Sequence, residues 1–298
     1  MRLREIGTST RLLAVFGDPV EHSLSPAMHN AAIASLGLDY VYLAFRVRLT
    51  DLARALDGVR SMGIPGVNLT IPLKRAACEL VDHLSRDACD AGAVNTVVNR
   101  DGVLTGHNTD GDGFIASLEE DLGMHPAGLR VCILGSGGAA RGISLSLARS
   151  GAERIVFAVR TVENGRQLCS LVTKRYPVCR ADVVNIADRV QLSRVLSDTD
   201  LLVNATPVGM HPFVDRSIDV DLGSLPEHAG VADLIYNPSE TLFLRSAKAL
   251  GYRTMNGVGM LAHQGALAFR LWTGALPDVG IMRQSIMNCL ARGSNSVT

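Results

Sequence analysis

The stretch Gly135-Ser136-Gly137-Gly138-Ala139-Ala140 has the residue types and the spacing to hold a dinucleotide. It meets the pattern G-x-G-x-x-G/A in its alanine-ended form. Gly135 allows a tight turn, Gly137 lets backbone N–H groups approach a pyrophosphate, and Ala140 is small enough for a following helix to pack closely on a sheet. The apolar run at 131–134 precedes it and a helix pattern follows. That strand-turn-helix context favours nucleotide binding over an ordinary turn. A second apolar run, 155–159, ends in Arg160-Thr161. An acid at this strand end would accept from the ribose hydroxyls of NAD, whereas a cation suits the extra phosphate of NADP, so Arg160 favours NADP. Glu153 and Glu163 read as solvated loop charges.

Other polar residues collect on predicted loops. In residues 17–30, GDPVEHSLSPAMHN, Ser25 is placed as a helix N-cap with Pro26 at the first helical position. A cap accounts for one serine but not for His22 and Ser23 just before it. Asn68 and Thr70 fall two apart on a predicted strand and therefore on one face. Lys74 is expected to open a helix and, taken alone, reads as a surface charge. Asp110, in an Asn-Thr-Asp-Gly loop, reads equally as an N-cap or a turn residue. Thr206 closes a strand at 200–205 where a cofactor would lie. The turn 256–259, with Gly257, lets backbone approach a ligand, and Gln264 points off the apolar stripe of the helix that follows.

The elements that would position these residues alternate. Strands are expected at 41–47, 66–71, 92–99 and 104–110, then at 131–134, 155–159, 180–183, 200–205 and 231–236. Helices are expected at 52–62, 74–81, 114–122, 191–196, 241–250 and from 260 onward. A glycine-rich break at 123–128 separates two groups of elements, and 293–298 reads as a loose tail. The chain of 298 residues most simply holds two domains of α/β class. Lys plus Arg and Asp plus Glu are 29 each, so no net field favours nucleic acid or an anionic membrane, and a small molecule is the expected partner. The six cysteines show neither a CxxC pair nor metal-ligand spacing; no metal site is expected, and reduced thiols are the default. With no signal-peptide core and no apolar run of about 18 residues, the expected location is cytoplasmic.

Taken together, the blocks resemble the shikimate dehydrogenases: residues 17–30, NLTIPLK at 68–74, GAVNT at 92–96, HNTDG at 107–111, the glycine turn, NATPVGM at 204–210, DLIYNP at 233–238 and GMLAHQGALAF at 259–269. The resemblance implies reversible, NADP-dependent reduction of 3-dehydroshikimate to shikimate, a step of aromatic amino acid synthesis. It implies an α/β substrate domain (1–122 and 260–298) and a Rossmann NAD(P)-binding domain (123–259), with a C-terminal helix returning to the first. Ser23, Ser25, Asn68, Thr70, Asn95, Tyr236 and Gln264 match the family's substrate contacts, and Lys74 and Asp110 its catalytic pair. The cofactor set expected is Gly135, Ser136, Gly137, Gly138, Ala139, Arg160, Thr161, Thr206, Leu234 and Gly257.

Hydride transfer to a ring ketone leaves an alkoxide that needs a proton or a cation beside it, and Lys74 supplies both, with Asp110 orienting the ammonium. Two departures bear on the cofactor. The family's Asn-Arg-Thr loop is Val159-Arg160-Thr161 here, and its second arginine is replaced by Asn164, with Arg166 two residues displaced. The alternative readings are therefore a quinate/shikimate dehydrogenase using NAD or both cofactors and, more remotely, a non-catalytic nucleotide sensor. The expected assembly is a monomer or a homodimer.

Overall fold

A computed structural model describes residues 6–294, which fall into two compact units, one within 1–109 and 264–298, the other 110–263. The first unit begins with β1 (Arg11–Gly17), α1 (Ser25–Ser35), β2 (Tyr40–Arg46), α2 (Leu52–Ser61) and β3 (Gly66–Leu69). It continues with β4 (His83–Leu84), α3 (Arg86–Ala91), β5 (Thr96–Arg100) and β6 (Val103–His107). Their sheet has the order β2-β1-β3-β5-β6-β4. Strands β1, β2 and β3 run parallel; β5 is antiparallel to both β3 and β6. The β5–β6 turn is carried by Asp101 and Gly102, both in the left-handed region at φ 52° and 85°, as a tight hairpin of this twist requires.

The two faces of this sheet are covered differently. Phe16, Val67, Leu69 and Val97 face Leu52, Leu56 and Val59 of α2 together with Leu73 and Ala77. On the other face Trp272 donates from Nε1 to the Val97 carbonyl at 2.9 Å and lies directly over Gly66. A Cβ at Gly66 would come within 2.1 Å of that indole nitrogen, so the strand can carry no side chain at this point.

In the second unit the order is α4 (Asp110–Leu122), β7 (Arg130–Leu134), α5 (Gly138–Arg149), β8 (Arg154–Val159), α6 (Val162–Arg175) and β9 (Arg180–Asn185). Then come α7 (Arg189–Leu196), β10 (Leu201–Asn204), β11 (Gly230–Asp233), α8 (Leu242–Ala249), β12 (Arg253–Met255) and α9 (Gly257–Thr273). The sheet is wholly parallel, in the order β12-β11-β10-β7-β8-β9. This is the doubly wound arrangement, with strand order reversing between β7 and β10. Ligands bind such sheets at the carboxyl ends flanking that reversal. From Gln264 onward α9 belongs to the first unit, as does α10 (Val279–Ser294), which packs on α1.

Several local expectations need correction. Lys74 does not open an α-helix: residues 71–75 form turns and only a short 3₁₀ segment, Ala76–Glu79, follows. The chain is diverted because the Asp82 amide bonds the Leu104 carbonyl at 2.9 Å, which draws 82–84 alongside β6. The stretch 256–259 is not a free turn, since α9 begins at Gly257. The helices at 86–91, 162–175 and 279–294 are not expected from the periodicity. Helix α10 runs into the stretch read as a tail, whose residues 295–298 lie outside the described residues. The division between units falls at 109/110 and 263/264, where the sequence suggests 122/123 and 259/260. Helix α4 lies with the second unit because Gly111 packs on Ser146 of α5, Asp112 pairs with Arg149, and Arg253 donates to the Leu122 carbonyl at 2.5 Å.

Candidate active site

Ser23 and Ser25 stand where β1 hands over to α1. The expectation that Ser25 caps the helix is not met: Ser25 is the first helical residue, and no side chain caps the Leu24 position. Instead Ser23 Oγ accepts from the Ser25 amide at 3.3 Å. Ser23, half-buried, thus bonds the amide of the first helical residue from outside the helix, and the buried Ser25 keeps its hydroxyl for other partners.

Beside them lies the carboxyl end of β3. Thr70 is held by its amide on the Phe16 carbonyl at 2.9 Å, and its methyl occupies the space a Cβ at Gly17 would need. The Thr70 carbonyl accepts from the Leu73 amide at 2.8 Å, and the Lys74 carbonyl from the Val94 amide at 2.8 Å, so the turn presenting Lys74 is pinned at both ends. Lys74 is half-buried.

Asn68 and Asn95 belong to one buried hydrogen-bond network in this unit. The Tyr42 hydroxyl donates to Asn68 Oδ1 at 2.7 Å. Asn68 Nδ2 donates to the Asn95 carbonyl and to Thr96 Oγ1, both at 3.1 Å. Thr96 Oγ1 donates to Asn95 Oδ1 at 2.9 Å, and the Thr109 amide does so at 2.9 Å. Asn95 Nδ2 donates to Thr109 Oγ1 at 2.9 Å and to Gln264 Oε1 at 3.4 Å. Every member is buried. Polar side chains so enclosed are stable only when their donors and acceptors are paired, and a paired set is held in one arrangement. The structure therefore gathers Ser25, Asn68, Asn95 and Gln264 in the first unit and adds three residues that sequence reasoning passes over: Tyr42, Thr96 and Thr109.

His29 lies against the same network. Its ring stacks on Tyr42, with centroids 4.2 Å apart and planes 11° from parallel, and on Phe269 at 6.1 Å. The ring is wholly buried, and neither nitrogen makes a hydrogen bond of ordinary geometry. Burial pushes its pKa down to about 3, offset only slightly by the neighbouring Asn68 amide.

The second unit assembles the glycine turn at the carboxyl end of β7. Gly135 has φ +109°, open only to glycine, and a Cβ there would come within 2.9 Å of the Thr206 methyl. Around Gly137 and Gly138 a Cβ would meet nothing within 4 Å, and no side chain caps the amino end of α5 at Gly137. Exposed backbone N–H groups beside open space form a cradle that fits a pyrophosphate. Ser136 is half-buried and Ala139 exposed in the same turn.

Thr206 is fixed by Asn204, whose Oδ1 accepts from its amide at 2.9 Å and its hydroxyl at 2.8 Å. Asn204 Nδ2 donates in turn to Asp233 Oδ1 at 3.0 Å. Asp233 has no exposed surface, and burial raises its pKa even though Thr241, the Ile235 amide and Asn204 all donate to it. This network ties the loops after β10 and β11 together and so places Thr206, Leu234 and the half-buried Tyr236. Gly257 packs on the Leu234 carbonyl, only 2.1 Å from where a Cβ would stand, so the close backbone approach expected there is made by the chain itself.

At the end of β8, Arg160 and Thr161 are exposed. Val159, in place of the family's asparagine, is buried in the core beside Gly165 of α6. Asn164 is exposed, and Arg166 pairs with Glu163 at 3.4 Å along the first turns of the helix. Asp110 opens α4 as its first residue and is half-buried. Among the described residues no group of three or more His, Cys, Asp or Glu side chains could hold a metal ion, and no helix is long and apolar enough to cross a membrane.

Comparison with known proteins gives these two units a common context. Residues 15–97 match the family model of the shikimate dehydrogenase substrate binding domain, and residues 257–287 that of the shikimate 5'-dehydrogenase C-terminal domain. The shikimate dehydrogenase (NADP(+)) of Methanopyrus kandleri is 46% identical over 285 residues, covering 96% of this chain and 98% of that protein. The shikimate 5-dehydrogenase of Listeria monocytogenes, solved with shikimate and NAD, superposes with a TM-score of 0.90 at 38% identity, covering 95% of this chain and 98% of that one. That of Thermus thermophilus, solved with NADP(H) and shikimate, gives 0.84 at 40% identity over 94% and 100%. With two domain models matched in order and near-complete coverage of relatives well above 30% identity, the chain belongs to the shikimate dehydrogenase family.

Proposed function

We propose that the protein catalyses the reversible, NADP-dependent reduction of 3-dehydroshikimate to shikimate. The observation that carries this reading is the full-length match to a shikimate dehydrogenase (NADP(+)) at 46% identity. The buried network of Asn68, Thr96, Asn95, Thr109 and Gln264 supports it, because a ring carrying several hydroxyls is recognised by rigid side chains that both donate and accept. In this reading the first unit, within 1–109 and 264–298, carries most of the substrate contacts and the second, 110–263, those of the cofactor.

NADPH, when bound, supplies the hydride. Residues 135–139 would hold its pyrophosphate on backbone N–H groups and Arg160 its extra phosphate, with Thr161, Thr206, Leu234 and Gly257 lining the remainder. Ser23 and Ser25 grip the substrate carboxylate, and Thr70, Asn68, Asn95, Tyr236 and Gln264 its hydroxyls. Lys74 stands beside the developing alkoxide and gives it a proton through Nζ. Asp110 is the second, acidic member of the proposed catalytic pair.

Near the end of β8, Arg160 is exposed and Arg166, two positions from where the family's second arginine stands, pairs with Glu163 at 3.4 Å, so Arg160 is the cation proposed for the phosphate. NADP is therefore preferred by a narrower margin than two arginines would give. The test is spectrophotometric: reduction of NADP+ and NAD+ with shikimate and with quinate. The expected order has shikimate with NADP+ giving the highest kcat/KM. A quinate or NAD+ preference would overturn the substrate or the cofactor assignment respectively, and no turnover with any pair would leave only the nucleotide-sensor reading.

A further inference from the structure

The buried network of the first unit has a direction. The Tyr42 hydroxyl hydrogen goes to Asn68, an Asn68 amide hydrogen to Thr96, the Thr96 hydroxyl hydrogen to Asn95, and Asn95 amide hydrogens to Thr109 and Gln264. Two main-chain groups with fixed roles anchor it: the Asn95 carbonyl accepts from Asn68 Nδ2, and the Thr109 amide donates to Asn95 Oδ1. An asparagine amide has nearly the same shape when its oxygen and nitrogen are exchanged, so packing alone does not orient Asn68. What orients it is the Asn95 main-chain carbonyl, which can only accept and so draws Nδ2 to that end, leaving Oδ1 to take the Tyr42 hydroxyl hydrogen at the other.

Tyr42 is itself held with little freedom. Its backbone is bonded both ways by the Asn30 side chain, with Nδ2 on the Tyr42 carbonyl at 2.8 Å and Oδ1 accepting from the Tyr42 amide at 2.9 Å. Its ring is wholly buried and lies against His29. The Ser25 hydroxyl also interacts with its phenol.

We propose that Tyr42 is a positioning residue: by donating to Asn68 Oδ1 its hydroxyl holds the Asn68 side chain in register with Thr96 and Asn95, and with it the faces those amides offer to a hydroxylated ring carboxylate. The inference rests on the function proposed above for the identity of that ligand, but the bond from Tyr42 to Asn68 belongs to the protein alone. Loss of the hydroxyl leaves the buried Asn68 Oδ1 without its donor, so the side chain shifts and its bond to Thr96 weakens.

The test compares the wild-type enzyme with Tyr42→Phe, Asn68→Ala and the double variant. Steady-state kinetics with shikimate and NADP+ are combined with ¹⁵N–¹H spectra of the side-chain amides of Asn68 and Asn95, assigned from Asn68→Ala and Asn95→Ala. In Tyr42→Phe, KM for shikimate is expected to rise about tenfold, with kcat falling less than threefold and NADP+ affinity retained. The amide signals of Asn68 and Asn95 should shift or broaden without any ligand. The double variant should be no worse than Asn68→Ala alone, because both changes break one chain. An unchanged KM, unmoved amide signals or multiplicative effects would each overturn the proposal, as would parallel losses in KM, NADP+ affinity and thermal stability, which mark a merely structural tyrosine. If Tyr42→Phe does not fold, Thr96→Val breaks the same chain one step on and is read by the same criteria. Absence of shikimate turnover in the wild type tells against the function alone, since the amide spectra still decide whether Tyr42 holds Asn68.

Discussion

Two residues of the first unit give opposite kinds of prediction because chemistry is proposed for one while burial holds the other away from water. Lys74 sits on a turn pinned at the Thr70 and Lys74 carbonyls, and its proposed task arises only as charge develops on the substrate oxygen. An interaction made in the transition state but not the ground state changes kcat rather than affinity. Lys74→Ala is therefore expected to lower kcat by roughly 10²–10⁴-fold while shikimate affinity changes only a few fold; an unchanged kcat in stopped-flow or steady-state assays removes Lys74 from the mechanism. His29, by contrast, is buried without a well-formed hydrogen bond and stays neutral in the folded state until about pH 3. The unfolded chain protonates it near 6.5, so below that pH the unfolded state binds a proton the native state refuses, and stability falls as pH drops. Between pH 7 and pH 5 this one group removes about 2 kcal/mol. His29→Phe keeps the stack on Tyr42 and should lack that component, so urea-unfolding free energies of variant and wild type should diverge in the variant's favour from pH 7 to pH 5. Parallel pH profiles would show that the ring takes up a proton in the folded state after all.

Among the elements, β3 shows most directly how sequence and packing divide the work. Four buried residues, GVNL, carry both a proposed site residue, Asn68, and a gap, Gly66, into which Trp272 of α9 fits. Gly66→Ala places a methyl within 2.1 Å of the indole nitrogen and 2.4 Å of the Val97 carbonyl. Neither can move without breaking the Nε1 bond, so a loss of about 2–3 kcal/mol is expected. Trp272 is the single tryptophan of the chain. Its emission should therefore shift to the red along with the loss of stability, and an unaltered spectrum would mean the strand accommodates the methyl elsewhere. What the sequence reveals about such elements depends on whether their residues are constrained locally. Gly135 is legible because φ +109° and the turn pattern demand glycine, and Arg160 because it follows a strand. Tyr42 is not, since in YVYLAFR it reads as an ordinary aromatic of a strand, and its hydroxyl acquires a role only when β3 is folded alongside. Asn95 and Gln264 meet across 169 positions, a pairing no local pattern encodes, and the resemblance to a family supplies both residues without their connection. Helix α6 is hard to read because its periodicity is diluted: only Gly165, Leu168 and Val172 are buried along fourteen residues. Lys74 reads as opening a helix because Ala76, Ala77 and Leu80 are good helix formers, a propensity overridden by the pairing of 82–84 with β6.

For the molecule as a whole the feature with most consequence is α9. Two α/β units could be expected from the break at 123–128, but the chain returns to its first unit through the interior of a continuous helix, with His263 assigned to one unit and Gln264 to the other. A helix propagates by hydrogen bonds four residues apart, so its two parts do not melt independently at small cost. Stabilising either unit should then stabilise both. NADP+, proposed to bind residues 135–139 of the second unit, provides the perturbation, and Trp272, in the first unit, provides the report. At a cofactor concentration about a hundred times its Kd, mass action adds about 2.7 kcal/mol to the folded state, or about 4 °C in Tm for a chain of this length. Far-UV circular dichroism and Trp272 fluorescence should move together by that amount. If the dichroism transition shifts while the fluorescence transition stays where it was, the units unfold separately, and α9 must fray between His263 and Gln264 before the first unit opens.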